Sequence, residues 1–535
     1  MKNLIKIFLV AGTLFFSACG DELSDLNVNP SFPTDVASIA LVPNIQQDIA
    51  RGIQFDTRFI SKYTQYFSEA TANNVWDLQG YALNSDAGGE IWRTVYFGHG
   101  LNLSNLITKA EQEKRYDILG FGKIMRAWGW QTATDYHGEL IDFDQVFTQR
   151  LTFDFSSQER AYAEVKRLAD EAIVSLSRTD GFVNQAHFAR GDLIYNGDRL
   201  RWIKFAYGLK ARNLNSQINK SNYTTALAQQ VIQFCDLSLA SPADDATIKF
   251  NGSIAADSNF FGPQRTNMTN FRQTDFLVRA LNGTNTGIFT GAVDPRLSRI
   301  TSPSIGTSET APASPASPNP LLYTYNGNPL NFTAATTGTN RIPNVWGTFL
   351  AGTATTPGRY LFRDKAEFPI MTYAEIQFMK AEAAFYLNNK PLALQAYING
   401  INASMDLVNR NTVQTATFPI TNVIAPAERA AYLANTAVVP TAANLTLTHI
   451  MMQKYIALFA FGTMETWVDM RKYRYNTAIY PTLAITALLS DNAGKLAYRV
   501  RPRFNSEYVW NFAAIQAIGA DTRDYHTKEM WFMQP

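Results

Sequence analysis

The sequence predicts a mainly α-helical protein with one long loop-rich region. Apolar residues recur at helical spacing in the segments near 157–176 and 372–405. From about 241 to 369 the chain turns rich in Gly, Asn, Thr, Ser and Pro, a composition of loops. No stretch after the N-terminal region has the roughly 18 uninterrupted apolar residues of a membrane-spanning helix. Of 535 residues, 46% are hydrophobic and 13% aromatic, enough for a large core. The 47 basic and 45 acidic residues leave a net charge of +2, so no nucleic-acid binder is expected.

At the N-terminus, Lys2 and Lys6 precede an apolar run from Leu4 to Phe16, too short to span a bilayer and fitting a secretory signal. Ser17-Ala18-Cys19 then resembles a bacterial lipobox, with Phe16 where Leu is usual; Cys19 would be diacylated and become the mature N-terminus. Asp21 and Glu22 resemble an acidic surface-export signal. The expected organisation is a signal peptide at 1–18, a lipidated tether at 19–36 containing Pro30 and Pro33, and a single domain at 37–535 with its loop-rich region at about 241–369. Cys235 is the one other cysteine, so no disulfide framework is expected; it reads as a buried small hydrophobe.

In "SSQERAYAEVKRLADEAIVSL", Tyr162, Val165, Leu168, Ala169, Ala172, Ile173 and Leu176 form one stripe, with Ser156 and Glu159 as its capping box. "TYAEIQFMKAEAAFYLNNK" has Thr372 as N-cap and Glu375 at the third helical position, with Ile376, Met379, Ala383 and Leu387 on one face. "NNKP" turns the chain, and Pro391 opens a second helix through Met405. The pair resembles a tetratricopeptide hairpin, which buries its faces by stacking on others, although no clean repeat of roughly 34 residues is visible. Further helices are expected in "NGDRLRWIKFAYGLKARNLNSQI" and "THIMMQKYIALFAFGTMETWVDM". Within the loop-rich region, residues 302–320 should be mobile surface. Phe260, Phe261, Phe271, Tyr323, Tyr325, Phe332 and Trp346 punctuate the rest.

Catalytic and cofactor motifs are sparse. The five histidines at 99, 137, 187, 449 and 526 have no metal-ligand spacing, and there is no P-loop, nucleophile elbow or complete dinucleotide fingerprint. "LGFGKIM" reads as a helix–helix contact, and Asp142 with Asp144 as a surface turn, since glycosidase carboxylates act across a substrate. No cofactor or metal is expected.

The most specific signals lie further along the chain. "TYAEIQFMKAEAAF", "QKYIALFAFGTMETWVDMRKYRY" and "RPRFNSEYVWN" resemble, in order, the TYAE helix, the QK helix with its E-x-W-x-D-x-R segment, and the closing segment of the SusD/RagB family of nutrient-binding outer-membrane lipoproteins. Upstream, "DLIYNGDRLRWIKFAYGLKARN", "TDYHGELIDFDQVF" and "DPRLSRI" are similar to further motifs of that family, and residues 26–36 nearly match the start of its SusD-like subgroup. The resemblance implies a SusD-like fold and a binding protein, not an enzyme. It would capture oligosaccharides, or peptides as in the RagB branch, and deliver them to a TonB-dependent SusC-like transporter.

Trp467, Asp469 and Arg471 are read as structural, placed just past a helix end with an Asp–Arg pair fixing a turn. Asp192, Tyr195, Asp198 and Trp202 are read the same way. Candidate ligand contacts fall in "EATANNVWDLQGYALN": Trp76 and Tyr81 as stacking rings, among Asn73, Asn74, Asp77 and Gln79. A loop after the first helix supplies stacking in the better-known starch-binding member, so these are placed by position. Trp346, Tyr323 and Tyr325 form a second set. A surface glycosidase or peptidase and a structural adhesin are the competing functions.

Overall fold

A computed structural model describes residues 36–80, 84–304, 324–336, 340–348, 356, 358–412, 423–485 and 488–535. Cys19, Tyr81, Tyr323 and residues 305–320 of the Pro/Ser-rich stretch lie outside them. Helices of eight or more residues are labelled α1 Ser38–Thr64, α2 His99–Gln112, α3 Tyr116–His137, α4 Gln158–Ser177, α5 Arg199–Asn215 and α6 Thr225–Leu237. They continue as α7 Asp275–Asn282, α8 Tyr373–Tyr386, α9 Lys390–Arg410, α10 Pro426–Ala434, α11 Leu447–Ala457 and α12 Thr463–Lys472. The described strands are short and pair antiparallel in twos: β1 Phe67–Glu69 with β5 Phe271–Gln273, β2 Leu140–Ile141 with β3 Phe155–Ser156, and β4 Ala246–Lys249 with β6 Glu367–Met371. The protein is mainly α, as its sequence predicts.

The helices stack in sequence order, α3 on α4, α4 on α5, α5 on α6, then α6 on α8 and α8 on α9, in the manner of tetratricopeptide hairpins. α1 lies along α2 and α12. The stripe on α4 is buried as expected, with Ile173 at its half-buried edge. Its N-cap is Ser157, whose hydroxyl accepts from the Arg160 amide, and not Ser156, which lies in β3 and bonds Asp142. Thr372 caps α8 as predicted, accepting from the Glu375 amide at 3.2 Å. "LGFGKIM" is the close helix contact its glycines implied: a Cβ on Gly120 would stand 2.5 Å from Leu176 Cγ, and one on Gly122 2.5 Å from Leu106. Asp142 and Asp144 form the expected surface turn, both paired with Arg160.

Three expectations are corrected. The segment 447–472 is two helices, α11 and α12, separated where Ala460 takes a left-handed φ of 74°. Trp467, Asp469 and Arg471 therefore lie within α12, and Asp469 pairs with Lys454 at 2.8 Å and Lys472 at 2.9 Å instead of Arg471. Although burial works against it, those two lysines hold the Asp469 carboxyl below its usual range. Arg471 instead stacks on Trp467 at 3.8 Å and donates to the Tyr498 carbonyl. The region 241–369 contributes to the core: Phe261, Phe271, Leu277, Leu281, Trp346 and Phe362 are all buried in it. Ser302 and Ser304, at the edge of the presumed surface stretch, are buried too.

The family-motif residues hold helices together. Arg212 of α5 meets Glu375 of α8 and Glu465 of α12, each at 2.8 Å. Lys472 meets Glu382 of α8 at 2.6 Å. Asp192 accepts from the Trp202 indole and the Gln46 amide, both at 2.8 Å, tying α5 to α1. Such pairs fix geometry because removing one partner leaves a buried charge unmatched. Cys235 is buried and free, and burial pushes its thiol up, so it is inert.

Candidate functional site

The loop Glu69–Gly80 crosses the C-terminal half of α1. α1 ends in Gln65, whose left-handed conformation (φ 55°) turns the chain into β1. The loop is then closed on itself. Asp77 Oδ1 accepts from the Glu69 amide at 2.9 Å and Oδ2 from the Asn73 amide at 3.0 Å. Asn73 Oδ1 accepts from the amides of Val75 (2.8 Å) and Trp76 (3.3 Å). Lys62 rises from α1 beneath the loop, fully buried, and its Nζ donates to the carbonyls of Val75 (2.8 Å) and Gly80 (2.9 Å). Burial lowers the Lys62 pKa well below that of an ordinary lysine, with only a Coulombic pull from Asp77 to oppose it. Tyr63 Oη also donates to Gly80 O, at 2.9 Å.

This framework presents Trp76 half-buried. Its inner edge meets Phe59 and Phe271 at ring-centroid distances of 6.3 and 5.9 Å, both edge to face. Arg58 lies beside it, its guanidinium carbon 5.4 Å from the Trp76 ring, 4.4 Å from Phe55 and 4.9 Å from Phe260. Arg58 donates to the carbonyls of Phe55 and Asn267 and forms no ion pair among the described residues. Burial lowers its pKa to about 10, which still leaves it cationic at neutral pH. Glu69, half-buried, is pushed up to about 7 by burial and by Asp77, against the pull of Arg58 and Arg272. On the other side of β1, Asn328 Nδ2 donates to the carbonyls of Glu69 (3.1 Å) and Phe332 (3.0 Å), and the Phe332 ring is 58% exposed. Trp76, Arg58 and the Glu69 carboxyl thus share one strip of surface, and Asn328 links the main chains of Glu69 and Phe332.

Of the predicted contacts, Trp76, Asn73 and Asp77 come together here. Asn73 and Asp77 direct their side-chain oxygens at the loop's own main chain, so they shape the loop that carries Trp76. Two of the second set are corrected, Tyr323 lying outside the described residues. Trp346 is 2% exposed and gives its indole N–H to the Phe261 carbonyl at 2.8 Å, so it offers no ring to a ligand. Tyr325 is likewise buried. Arg58 and Glu69 are not among the predicted contacts, and Phe332 is named there only as a loop aromatic. The spacing of Phe55, Arg58, Phe59 and Lys62 on one helix face is the signal that could have found the first.

Nothing in the strip resembles a nucleophile with its base. Among the described residues no three His, Cys, Asp or Glu side chains group to hold a metal. His99 and His137 are fully buried, and burial pushes both down to about 3. No described helix is long and apolar enough to cross a membrane.

Comparison with known proteins follows the same line. A SusD-like family model, described as "Starch-binding associating with outer membrane", matches residues 30–501. A SusD/RagB family protein from Bacteroides thetaiotaomicron superimposes with a TM-score of 0.70 at 20% identity, covering 93% of this chain and 99% of that one. A SusD homologue from Bacteroides fragilis gives 0.66 at 18% identity, over 94% and 100% of the two chains. A chitin-binding SusD homologue from Flavobacterium johnsoniae gives 0.63 at 18% identity, over 92% and 97%. No curated protein sequence matches. With the family match running across most of its length, the chain belongs to the SusD-like family of starch-binding proteins that associate with the outer membrane.

Proposed function

We propose that this protein captures oligosaccharides at the cell surface, anchored through a lipid on Cys19, and hands them to a TonB-dependent SusC-like transporter. The observation that carries the binding role is the fixed, half-buried indole of Trp76 beside Arg58, which has no ion pair among the described residues. Sugar C–H faces stack on such rings, and a cation with spare donors orients hydroxyls. Glu69 extends the strip by a carboxyl. Trp76, Asn73 and Asp77 are therefore the contacts and supports assigned here, with Tyr81 next to the loop in sequence. The family's starch-binding description and the chitin-binding neighbour support a glycan over other cargo. The family's description as starch-binding supports binding without catalysis.

Titration calorimetry with malto- and chito-oligosaccharides tests this. Binding without product formation is expected, and Trp76→Ala should weaken it by roughly tenfold, the worth of one stacking contact of about 0.5–1.5 kcal/mol together with its buried area. Hydrolysis at catalytic rates, or an affinity indifferent to Trp76→Ala, would reject the reading.

A further inference from the structure

The two ends of α1 stand in different surroundings. The C-terminal half carries the Trp76 strip, whereas Ser38, the first helical residue, stands just after the described residues begin at 36. Ser38 is fixed there, its amide and hydroxyl donating to the Glu113 carboxylate at 3.1 and 2.5 Å. Phe59, against which Trp76 packs, comes 21 residues later, about 30 Å along the helix at 1.5 Å per residue.

Several segments meet around Ser38. Lys114, next to Glu113, accepts at its carbonyl from the Phe182 amide at 3.0 Å. The Leu193 amide donates to Gln46 Oε1 of α1 at 3.0 Å, and a Cβ on Gly191 would stand 3.0 Å from the Ile39 carbonyl. Arg199, which opens α5, donates to the Leu176 carbonyl at 2.9 Å and to that of Arg178. Residues 38–46, 113–117, 176–182 and 191–200 therefore make up one end of the helical stack.

That end holds three large apolar side chains in solvent. Phe182 and Leu200 are each 70% exposed and Leu193 is 60% exposed. Each sits on a backbone held by its own amide, Phe182 and Leu193 as above and Leu200 by Asp198 Oδ1 at 2.9 Å. Their exposure thus belongs to ordered structure and not to a fraying terminus. Single exposed apolar residues are ordinary, but a group of them at one end of a molecule marks a contact surface.

The chain before residue 36 points to what covers them. Cys19 lies 19 residues before Ser38, a reach of at most about 65 Å when extended. A lipid on Cys19 therefore tethers the domain by this end, and a tether of that length raises the local concentration enough for weak contacts to hold. Phenylalanine and leucine side chains are suited to the boundary between lipid headgroups and acyl chains.

We propose that this end of the molecule lies on the lipid surface of the membrane, with Phe182, Leu193 and Leu200 entering the interface. α1 then acts as a strut that holds the Trp76 strip about 30 Å from the lipid. The proposal rests on the lipid anchor at Cys19 and adds to it a fixed face of contact.

The test uses the full lipidated protein in vesicles of phosphatidylethanolamine and phosphatidylglycerol, with bromine on the acyl chains as quencher. Cys235 is buried and inert, so bimane can be placed singly at Phe182→Cys, Leu200→Cys or the exposed Asn74→Cys. Brominated lipid should remove most of the fluorescence at 182 and 200 and leave that at 74 unchanged. On the same vesicles, Leu193→Ser with Leu200→Ser should lower the partition of the unlipidated Cys19→Ala protein by about tenfold or more, from the lost apolar burial. Both leucines are exposed, so the melting curve should be unchanged. Quenching at 182 no greater than at 74, or partition indifferent to the two serines, would overturn the proposal. A label at 182 shielded from aqueous iodide yet unquenched by bromine would assign the face to a second copy of the chain and overturn it as well. Vesicle flotation reports the anchor separately: protein that floats without quenching at 182 keeps the anchor and loses the face, whereas protein that does not float loses both.

Discussion

Lys62 is the clearest place to perturb the candidate site without touching its surface. Lys62→Met keeps the length and volume of the side chain but removes both donors to the loop. The loss is uneven. Gly80 O keeps the Tyr63 hydroxyl at 2.9 Å, whereas Val75 O has Lys62 as its one donor among the described residues. Two net hydrogen bonds are worth about 1 kcal/mol each, and a stranded carbonyl adds to the loss. Relief of the amino group's burial offsets part of it. The balance is a loop destabilised by about 1–3 kcal/mol, which translates into local opening roughly 5- to 150-fold more populated. Hydrogen exchange reads this directly: peptides spanning 66–80 should lose protection by that factor, while those of α8 and α9 keep theirs. Oligosaccharide affinity should fall with it, by no more than the same factor. Unchanged protection over 66–80 would refute the idea that Lys62 holds the loop.

Trp346→Ala should lower stability by about 3–5 kcal/mol as a core truncation. Trp76→Ala, half-buried, should lower it by less than half of that, and equal losses in the two melting or denaturant curves would contradict the placement of Trp76. Asp56 is fully buried, its carboxyl accepting from the Ile91 amide at 2.8 Å, and burial raises its pKa to about 8. Between its unfolded value near 4 and pH 8 the folded state binds the extra proton, so this group makes stability fall as pH rises. Asp56→Asn should flatten the decline in urea midpoint between those limits; an unaltered slope would show that Asp56 does not titrate in this range. Cys19→Ala should move the protein from the membrane to the soluble fraction, and full retention of the variant, with the transporter gene also deleted, would remove the lipid anchor from the proposal.

The helical stack was legible because its signals are local. The α4 stripe repeats at helical spacing, Thr372 caps α8, and Gly120 and Gly122 announce a close helix contact. Periodicity failed where helices are buried all round. "MMQKYIALFAFGTM" runs through the boundary of α11 and α12 without a polar break, and only the backbone at Ala460 reveals it. It failed again in region 241–369, where burial depends on partners far along the chain. Trp346 stands in a polar, glycine-bearing stretch, yet Phe261, 85 residues earlier, accepts its indole proton. The candidate site was half legible for the same reason. Trp76 advertises itself as a loop tryptophan, but Arg58 and Phe332 become neighbours of the loop only through α1 and the β1–β5 pairing.

The closed wiring of the Glu69–Gly80 loop also defines where variation is cheap. Asn73, Asp77 and Lys62 satisfy the main chain from within, while Thr71, Ala72 and Asn74 stand exposed between those anchors. Substitutions at these three positions would change the surface that the proposed site presents and leave the hydrogen bonds that set the loop's path untouched. A library randomised at 71, 72 and 74, with 62, 73 and 77 held constant, would keep its members folded and shift cargo preference from one to the next, so that the same scaffold diversifies through a handful of codons.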